Sequence, residues 1–364
     1  DVPYPADYGG AIDMFYRIVA LYDEGIKIHL HYFSYNHHGN PNELNQYCES
    51  IHVYERKTGH KSFSFDLPYI VSSRINKELI ERLNDDEHPV LLEGIHCSGI
   101  LKYLNAEKRK IIVRLHNDEN NYYQQLAIAE LNLLKKLYFW NESRLLDKYQ
   151  NELPRNNIYA CISESDVKTF RDKYHLKQTI YLPAFVPYQQ VNCLEGMGSF
   201  CLYHGNLSVS ENEKAATWIL QNVFSKINKP LVIAGKNPSK RLQKLVQLYD
   251  HTCLVADPST QEMNDLVQKA HINLLPSFNT TGIKLKLLHA VFTGRHCVVN
   301  DAMVNGTGLE AACHVGINAN ALASIITQLH NQPFNEEEIL LRKNLLKNNY
   351  NNSTNSRQLI ALIL

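Results

Sequence analysis

The sequence predicts an α/β protein built of two doubly wound, Rossmann-like halves. Three observations lead there. Short apolar runs of strand character alternate with amphipathic helical stretches from end to end, the pattern of a parallel sheet covered on both faces. The chain has 364 residues, too many for one ordinary core. The alternation also restarts after a polar segment, 187–199, that carries two glycines and reads as a linker. The expected domains are therefore 1–190 and 197–335, followed by closing helices over 336–364.

In the first half the apolar runs predict strands at 27–33, 51–54, 90–93, 111–115, 158–162 and 179–182. Helical periodicity predicts helices at 11–24, 41–49, 77–84, 99–104, 127–152 and 164–174. The second half repeats the theme, with strands at 200–203, 231–234, 252–255, 272–275 and 297–299. Its helices are expected at 211–224, 239–249, 261–270, 282–293, 320–330 and 336–348. The asparagine-rich stretch 348–355 reads as a turn before a last apolar segment, 359–364. The chain opens on a loop that ends in Gly9-Gly10. A doubly wound domain places such a loop after its first strand, so one more strand of about 5–8 residues is expected ahead of this numbering.

Composition narrows the function. Lys+Arg and Asp+Glu are equal at 37 each, a balance that argues against nucleic acid as a partner. No run approaches about 18 consecutive apolar residues, so no transmembrane helix is expected. The eight cysteines form no Cys-x-x-Cys pair, and several sit in strand runs. They read as small buried hydrophobes of a reducing compartment. Lys102, Lys108, Arg109 and Lys110 form a small basic cluster, read as an ordinary solvated helix end.

Four segments carry candidate chemistry. Gly9 and Gly10 open a helix whose first turn includes Asp13; paired glycines let backbone approach a ligand, and a helix start offers free N–H groups. The plain alternative is a strand–helix turn. Two strands end in histidine-bearing loops, Glu93-Gly-Ile-His96 and Arg114-Leu-His116-Asn117, at the carboxyl ends where open α/β sheets bind ligands. The alternative there is a capping loop, with Asn117 or Asp118 as N-cap. Tyr203-His204-Gly205-Asn206 begins the second half and leads to Asn212 and Lys214, while the next strand ends in Gly235-Lys236. Both are glycine turns beside a cation, suited to an anion, or else merely solvated surface.

The strongest segment runs Pro276-Ser277-Phe-Asn-Thr280-Thr281-Gly282-Ile-Lys284-Leu-Lys286-Leu-Leu-His289-Ala290. A strand ends, a small polar loop follows, and a helix starts at Gly282, so Thr280, Thr281 and the Gly282 N–H form a diphosphate site. Lys284 is placed to neutralise phosphate. His289 lies about two turns further on and extends toward a ribose. The alternative is an amphipathic helix with solvated lysines.

This segment resembles the donor-site signature of the group 1 (family 4) glycosyltransferases, which have the GT-B fold. The Pro-x-Pro-x-x-x-Gly-Gly opening, the Arg114-Leu-His116-Asn segment and the His-Gly-Asn start of the second half fit the same resemblance. It implies two domains facing each other across a cleft. The first binds the acceptor, the second binds a nucleotide diphosphate sugar, and the closing helices cross back to the first. It implies a retaining hexosyltransferase of mannosyl or glucosyl type, using a UDP-sugar or GDP-sugar, with no metal or other cofactor. The acceptor is a glycan or a lipid-linked glycan, and the setting is the cytoplasm, extending to peripheral association with the inner face of the cell membrane. Gly205, Asn206, Lys214, Gly235, Lys236, Thr280, Thr281, Gly282, Lys284 and His289 then take the donor. His116 is the catalytic-site histidine that contacts sugar or acceptor, and Gly9, Gly10, His96 and Asn117 line the acceptor side. The chain departs from the pattern in three places. His289 stands where the ribose-contacting Glu is usual, and Asn206 and Asn212 stand where Arg and Lys usually hold the diphosphate. Lys214, Lys236, Lys284 and Lys286 are the cations available instead. A sugar-nucleotide epimerase and a non-catalytic sugar-nucleotide-binding protein are the alternatives.

Overall fold

The computed structural model describes residues 2–6, 9–34, 41–59, 64–130, 132–278 and 284–364. In chain order it contains α1 (Gly9–Asp23), β1 (His29–Ser34), β2 (Ser50–Glu55), α2 (Tyr69–Ser72), α3 (Lys77–Asn84), β3 (Val90–Glu93), β4 (Ile111–Leu115), α4 (Glu119–Ala129), α5 (Leu133–Asn151), β5 (Ile158–Cys161), α6 (Glu164–Asp172) and β6 (Thr179–Tyr181). There follow β7 (Cys201–His204), α7 (Ser210–Ile219), β8 (Leu231–Gly235), α8 (Lys240–Val246), β9 (Thr252–Ala256), α9 (Thr260–Lys269), β10 (Ile272–Leu274), α10 (Leu285–Thr293), β11 (His296–Val299), α11 (Asp301–Val304), β12 (His314–Val315), α12 (Ala319–Leu329), α13 (Glu336–Asn349) and α14 (Asn352–Ile363). The chain divides into two compact units. Asp1–Pro187 joins Tyr350–Leu364 in one, and Tyr188–Thr280 joins Lys284–Asn349 in the other.

In the first unit β3-β4-β5-β6 form a parallel four-stranded sheet, and β1-β2 form a separate parallel pair. Alternation on β4 covers both faces. Ile111, Val113 and Leu115 pack with Leu92, Tyr159, Leu146 and Phe170 on one side. Ile112 packs with Ala20, Leu21, Leu182, Phe185 and Leu359 on the other, so α1 and α14 cover that face.

The second unit is one six-stranded parallel sheet in the order β12-β11-β10-β7-β8-β9. The order reverses between β7 and β10, which makes their carboxyl ends the switch point of a doubly wound sheet. Arg342 on α13 is buried and holds the far side together. It donates to the carbonyls of Gly294 at 2.7 Å and Val291 at 3.1 Å and stacks over Phe334.

Several boundaries differ from the sequence expectation, each for a local reason. Residues 41–49 form only a short 3-10 turn at Pro41–Glu43, continued by i,i+3 turns such as Tyr47 N to Leu44 O. The Gln46 side-chain amide donates to the Glu43 carbonyl at 3.1 Å, taking an acceptor that a continuing helix would use. The long helix expected over 127–152 is two, because Asn132 caps a fresh helix by accepting from Lys135 N, and Asp118 caps α4. The asparagine-rich stretch is not a turn alone: Asn351 caps α14 by accepting from Thr354 N. Helix α10 is described from Leu285, three residues later than the expected start at Gly282, a residue that lies outside the described ones.

Candidate active site

In the first unit the loops after β3 and β4 meet the start of α1 around one buried carboxylate. Asp13 lies on the inward face of α1 and is completely buried. Arg17, one turn on, reaches its Oδ2 at 2.8 Å. Arg114, in the middle of apolar β4, donates to Oδ1 at 3.1 Å and to Oδ2 at 3.2 Å. The Phe185 N–H donates to Oδ1 at 2.7 Å. His116 places Nε2 at 3.3 Å from Asp13 Oδ2 and 3.4 Å from Glu93 Oε2, and Arg17 pairs with Glu93 at 2.7 Å.

The electrostatics follow from these distances. Burial alone would neutralise Asp13, but Arg114 and Arg17 outweigh it and hold the carboxyl well below its usual range. Burial also opposes the charge on Glu93, yet Arg17 and His116 bring it down to about 2. Burial disfavours imidazolium at His116, but its contacts with Asp13 and Glu93 prevail and raise it to about 9. At neutral pH the group thus holds two carboxylates against three cations, a net positive charge beside the carboxyl end of β4.

A second, softer set lies alongside. His96 Nε2 is 4.0 Å from Glu119 Oε1, and Asn117 donates to the same oxygen at 3.3 Å. Burial, with Arg74 nearby, keeps His96 well below its ordinary value. Burial raises Glu119 to about 7, the range in which a carboxylic acid exchanges protons at physiological pH. Gly9 and Gly10 form the first turn of α1, one turn from Asp13.

In the second unit the turns after β7 and β8 touch. A Cβ on Gly235 would overlap the Gly205 carbonyl oxygen, so that glycine is required by close approach, while one on Gly205 would lie 3.2 Å from the Asn212 side chain. Asn206 is exposed; its carbonyl accepts from Asn212 Nδ2 at 3.0 Å. Asn212 Oδ1 in turn accepts from Lys286 Nζ at 3.1 Å, and that ammonium sits 5.3 Å from the centre of the Tyr203 ring. Burial pushes the Lys286 amine down to about 8.

His204, at the end of β7, is buried and kept well below its usual value by burial. Its ring meets His289 edge-on at 5.8 Å, and burial lowers His289 to about 4, so both imidazoles are neutral. Among the described residues His204 Nε2 has no hydrogen-bond partner. His289 also stacks on Tyr188 and lines a cavity of about 530 Å³ with Asn192, Gln261, Asn264 and Gln268.

The structure thus gathers Gly205, Asn206, Gly235 and His289 around the carboxyl ends of β7 and β8, with half-buried Lys284 at the N-cap of α10. Lys214 and Lys236 are exposed and belong to the solvated alternative. Thr280, Thr281 and Gly282 lie outside the described residues. Sequence reading missed the ion cluster that Arg17, Glu93 and Arg114 build with Asp13 and His116, and Glu119 beside His96, and underweighted Lys286. The available signal was a charged residue inside an apolar strand, as in Ile111-Ile-Val-Arg114-Leu. The basic cluster at 102–110 is partly structural. Arg109 donates to the carbonyls of Leu83 and Asp86, and Lys108 pairs with Glu87 at 3.0 Å.

Residues 199–332 match the family described as Glycosyl transferases group 1. An uncharacterized 44.6 kDa protein in the cps region of Klebsiella pneumoniae is 27% identical over 325 residues, covering 85% of this chain and 83% of that protein. The fold is shared with sucrose-phosphate synthase from Thermosynechococcus elongatus, at a TM-score of 0.70 and 14% identity, over 98% of this chain and 92% of that one. It is also shared with S. aureus TarM, solved with Fondaparinux, alpha-GlcNAc-glycerol and UDP, at a TM-score of 0.53 and 14% identity. That match covers 75% of this chain, which spans 55% of the TarM length. On these grounds residues 199–332 match the group 1 glycosyltransferase family, and the chain has the GT-B fold of the solved glycosyltransferases it resembles.

Proposed function

We propose that the chain transfers a hexosyl group, with retention, from a UDP-sugar or GDP-sugar to a glycan or lipid-linked glycan in the cytoplasm, without a metal. The observation that carries the donor half is Lys286. This half-buried ammonium has a neutral amide, Asn212, as its hydrogen-bond partner at the switch point of the second sheet. A cation held mostly out of water gains when an anionic ligand approaches it, and a departing diphosphate is such a ligand. Lys284 adds a second cation two residues earlier, and Gly205 and Gly235 let the backbone come close to phosphate. His289, neutral, serves as a hydrogen-bonding group toward the ribose in place of a carboxylate. In the first unit His116 carries positive charge toward the transferred sugar or the acceptor, and Glu119 is the nearest group with a proton affinity near neutrality. The UDP seen with TarM and the polysaccharide setting of the Klebsiella relative support the choice of donor and product class.

The test is a thermal-shift panel with UDP, GDP, dTDP and ADP, with and without magnesium, followed by product analysis with the matching sugar donors. A ligand at about 100 times its Kd stabilises by about 2.7 kcal/mol. A response to UDP or GDP that magnesium does not change, and an axially linked product from an axial donor, is the expected result. No response to any nucleotide by the folded protein would overturn the donor assignment. Epimerisation of the sugar nucleotide without an acceptor would overturn transfer.

A further inference from the structure

The second unit gathers metal-binding residue types at the amino ends of its strands, the opposite ends from the turns after β7 and β8. His296 opens β11, His314 opens β12, and Glu338 stands in the first turn of α13. The two strands are parallel neighbours, so both histidines fall at the same end of the sheet. Their ring centres are 5.6 Å apart. One ligand atom from each of the three residues lies within 4.8 Å of the other two. Two imidazoles and a carboxylate are a set that zinc takes, whereas magnesium and calcium prefer oxygen alone.

His296 carries the argument. Its side chain is 3% exposed. Nε2 lies 3.1 Å from the Gln332 carbonyl oxygen, which can only accept, so Nε2 bears the ring proton. A backbone carbonyl in that place is the usual outer partner of a metal-bound histidine. The neutral ring then turns a bare Nδ1 inward, and among the described residues Nδ1 has no hydrogen-bond partner. It faces Glu338 Oε1 at 3.4 Å. Two acceptors that close need a cation between them. A shared proton would draw the pair to about 2.7–2.9 Å. Zinc with arms of about 2.0–2.1 Å sets tetrahedral ligands about 3.3–3.4 Å apart, which matches. The Asp13, Glu93 and His116 group gathers similar atoms, but Arg17 and Arg114 already answer its carboxylates. Among the described residues no lysine or arginine pairs with Glu338, and Arg342 turns its donors to the Val291 and Gly294 carbonyls. We propose that His296 Nδ1, Glu338 Oε1 and the His314 ring bind one zinc ion, with water in the fourth position. His314 and Glu338 are half-buried, which gives the ion a way in. The ion clamps β11 and β12 to α13. It takes no part in the sugar chemistry, so this inference does not rest on that reading.

The test uses the full chain, stripped with EDTA and dialysed into metal-free buffer. Calorimetric titration with zinc chloride should show one ion per chain. Cobalt(II) in its place should give the intense visible bands of a four-coordinate site, without a thiolate charge-transfer band. His314→Ala and Glu338→Gln should each weaken zinc binding at least tenfold, since loss of an outer partner alone typically costs about 10- to 100-fold. Both positions are half-buried, and far-UV circular dichroism checks that each variant folds. His116→Gln should bind zinc like the wild type. No zinc binding by the folded chain, or binding that both His314→Ala and Glu338→Gln leave intact, would overturn the proposal. Binding lost in His116→Gln would place the ion in the Asp13 group and overturn it too. A thiolate band would overturn the ligand set, and weak six-coordinate bands would overturn the geometry.

Discussion

The buried ion cluster around Asp13 makes the first unit sensitive to alkali in a defined window. His116 has an ordinary value near 6.5 and is raised to about 9 in the folded chain. A group raised on folding contributes stability that is complete below its unfolded value and is lost as pH climbs through its folded one. The interval from 6.5 to about 9, at about 1.4 kcal/mol per pH unit, amounts to about 3 kcal/mol. The perturbation is therefore pH itself, with His116→Gln as the control that removes the titrating group while keeping a hydrogen-bond donor. Two readouts are needed, because a chain of two units need not unfold in one step. The first is the NMR titration of the His116 ring, assigned by its disappearance in the Gln variant. The second is urea unfolding at pH 6.5 and 9.5. The wild type should lose about 3 kcal/mol more than His116→Gln between those values. A ring that titrates near 6.5, or wild-type and variant curves that stay parallel across the window, would refute the charged His116 and with it the net positive charge of the cluster.

The two units make four further predictions. Glu119 is raised to about 7, so its ionisation opposes folding above that value; Glu119→Gln should stabilise the first unit by up to about 3 kcal/mol at pH 8 and little at pH 4, read by urea unfolding. Arg114→Met leaves Asp13 buried with fewer partners and should cost about 3–5 kcal/mol, measured the same way; a cost under 1 kcal/mol would mean Arg17 suffices. Gly235→Ala forces the β8 turn away from the Gly205 carbonyl and should cost about 1–3 kcal/mol and weaken nucleotide binding; wild-type stability would show that the turn relaxes freely. Lys286→Met should weaken nucleotide diphosphate binding at pH 7 by calorimetry. Wild-type affinity should itself fall as pH rises through about 8, where the free amine loses its proton, and a flat profile would remove Lys286 from the site.

The alternation of strand and helix was legible because burial on both faces writes near-continuous apolar runs, as in Ile111-Ile-Val, and helices write a 3.6-residue rhythm. Caps were harder to read. Asn132 and Asn351 start helices where composition alone suggests continuation or a turn, because a cap depends on one side-chain bond to one N–H. The glycines after β7 and β8 announced turns, but only their mutual contact explains why Gly235 leaves no room for a Cβ.

What the sequence determined by itself was local: periodicity, turn chemistry, and the identity of polar residues standing at strand ends. What only the tertiary structure decided was which of them meet. Asp13 and Arg114 are 101 positions apart, and no local rule pairs them; they meet because α1 packs on the face of the sheet that Arg114 points into. Lys286, rather than Lys214 or Lys236, loses its water because the phase of α10 turns it under Asn212 and Tyr203, while the other two end on the solvated side of their turns. Likewise a run of leucines and a tryptophan reads as core in a sequence. It is left outside on α5 because the bonds of Glu142, Ser143 and Gln150 claim the inward face, and turning the helix would strand those buried polar groups.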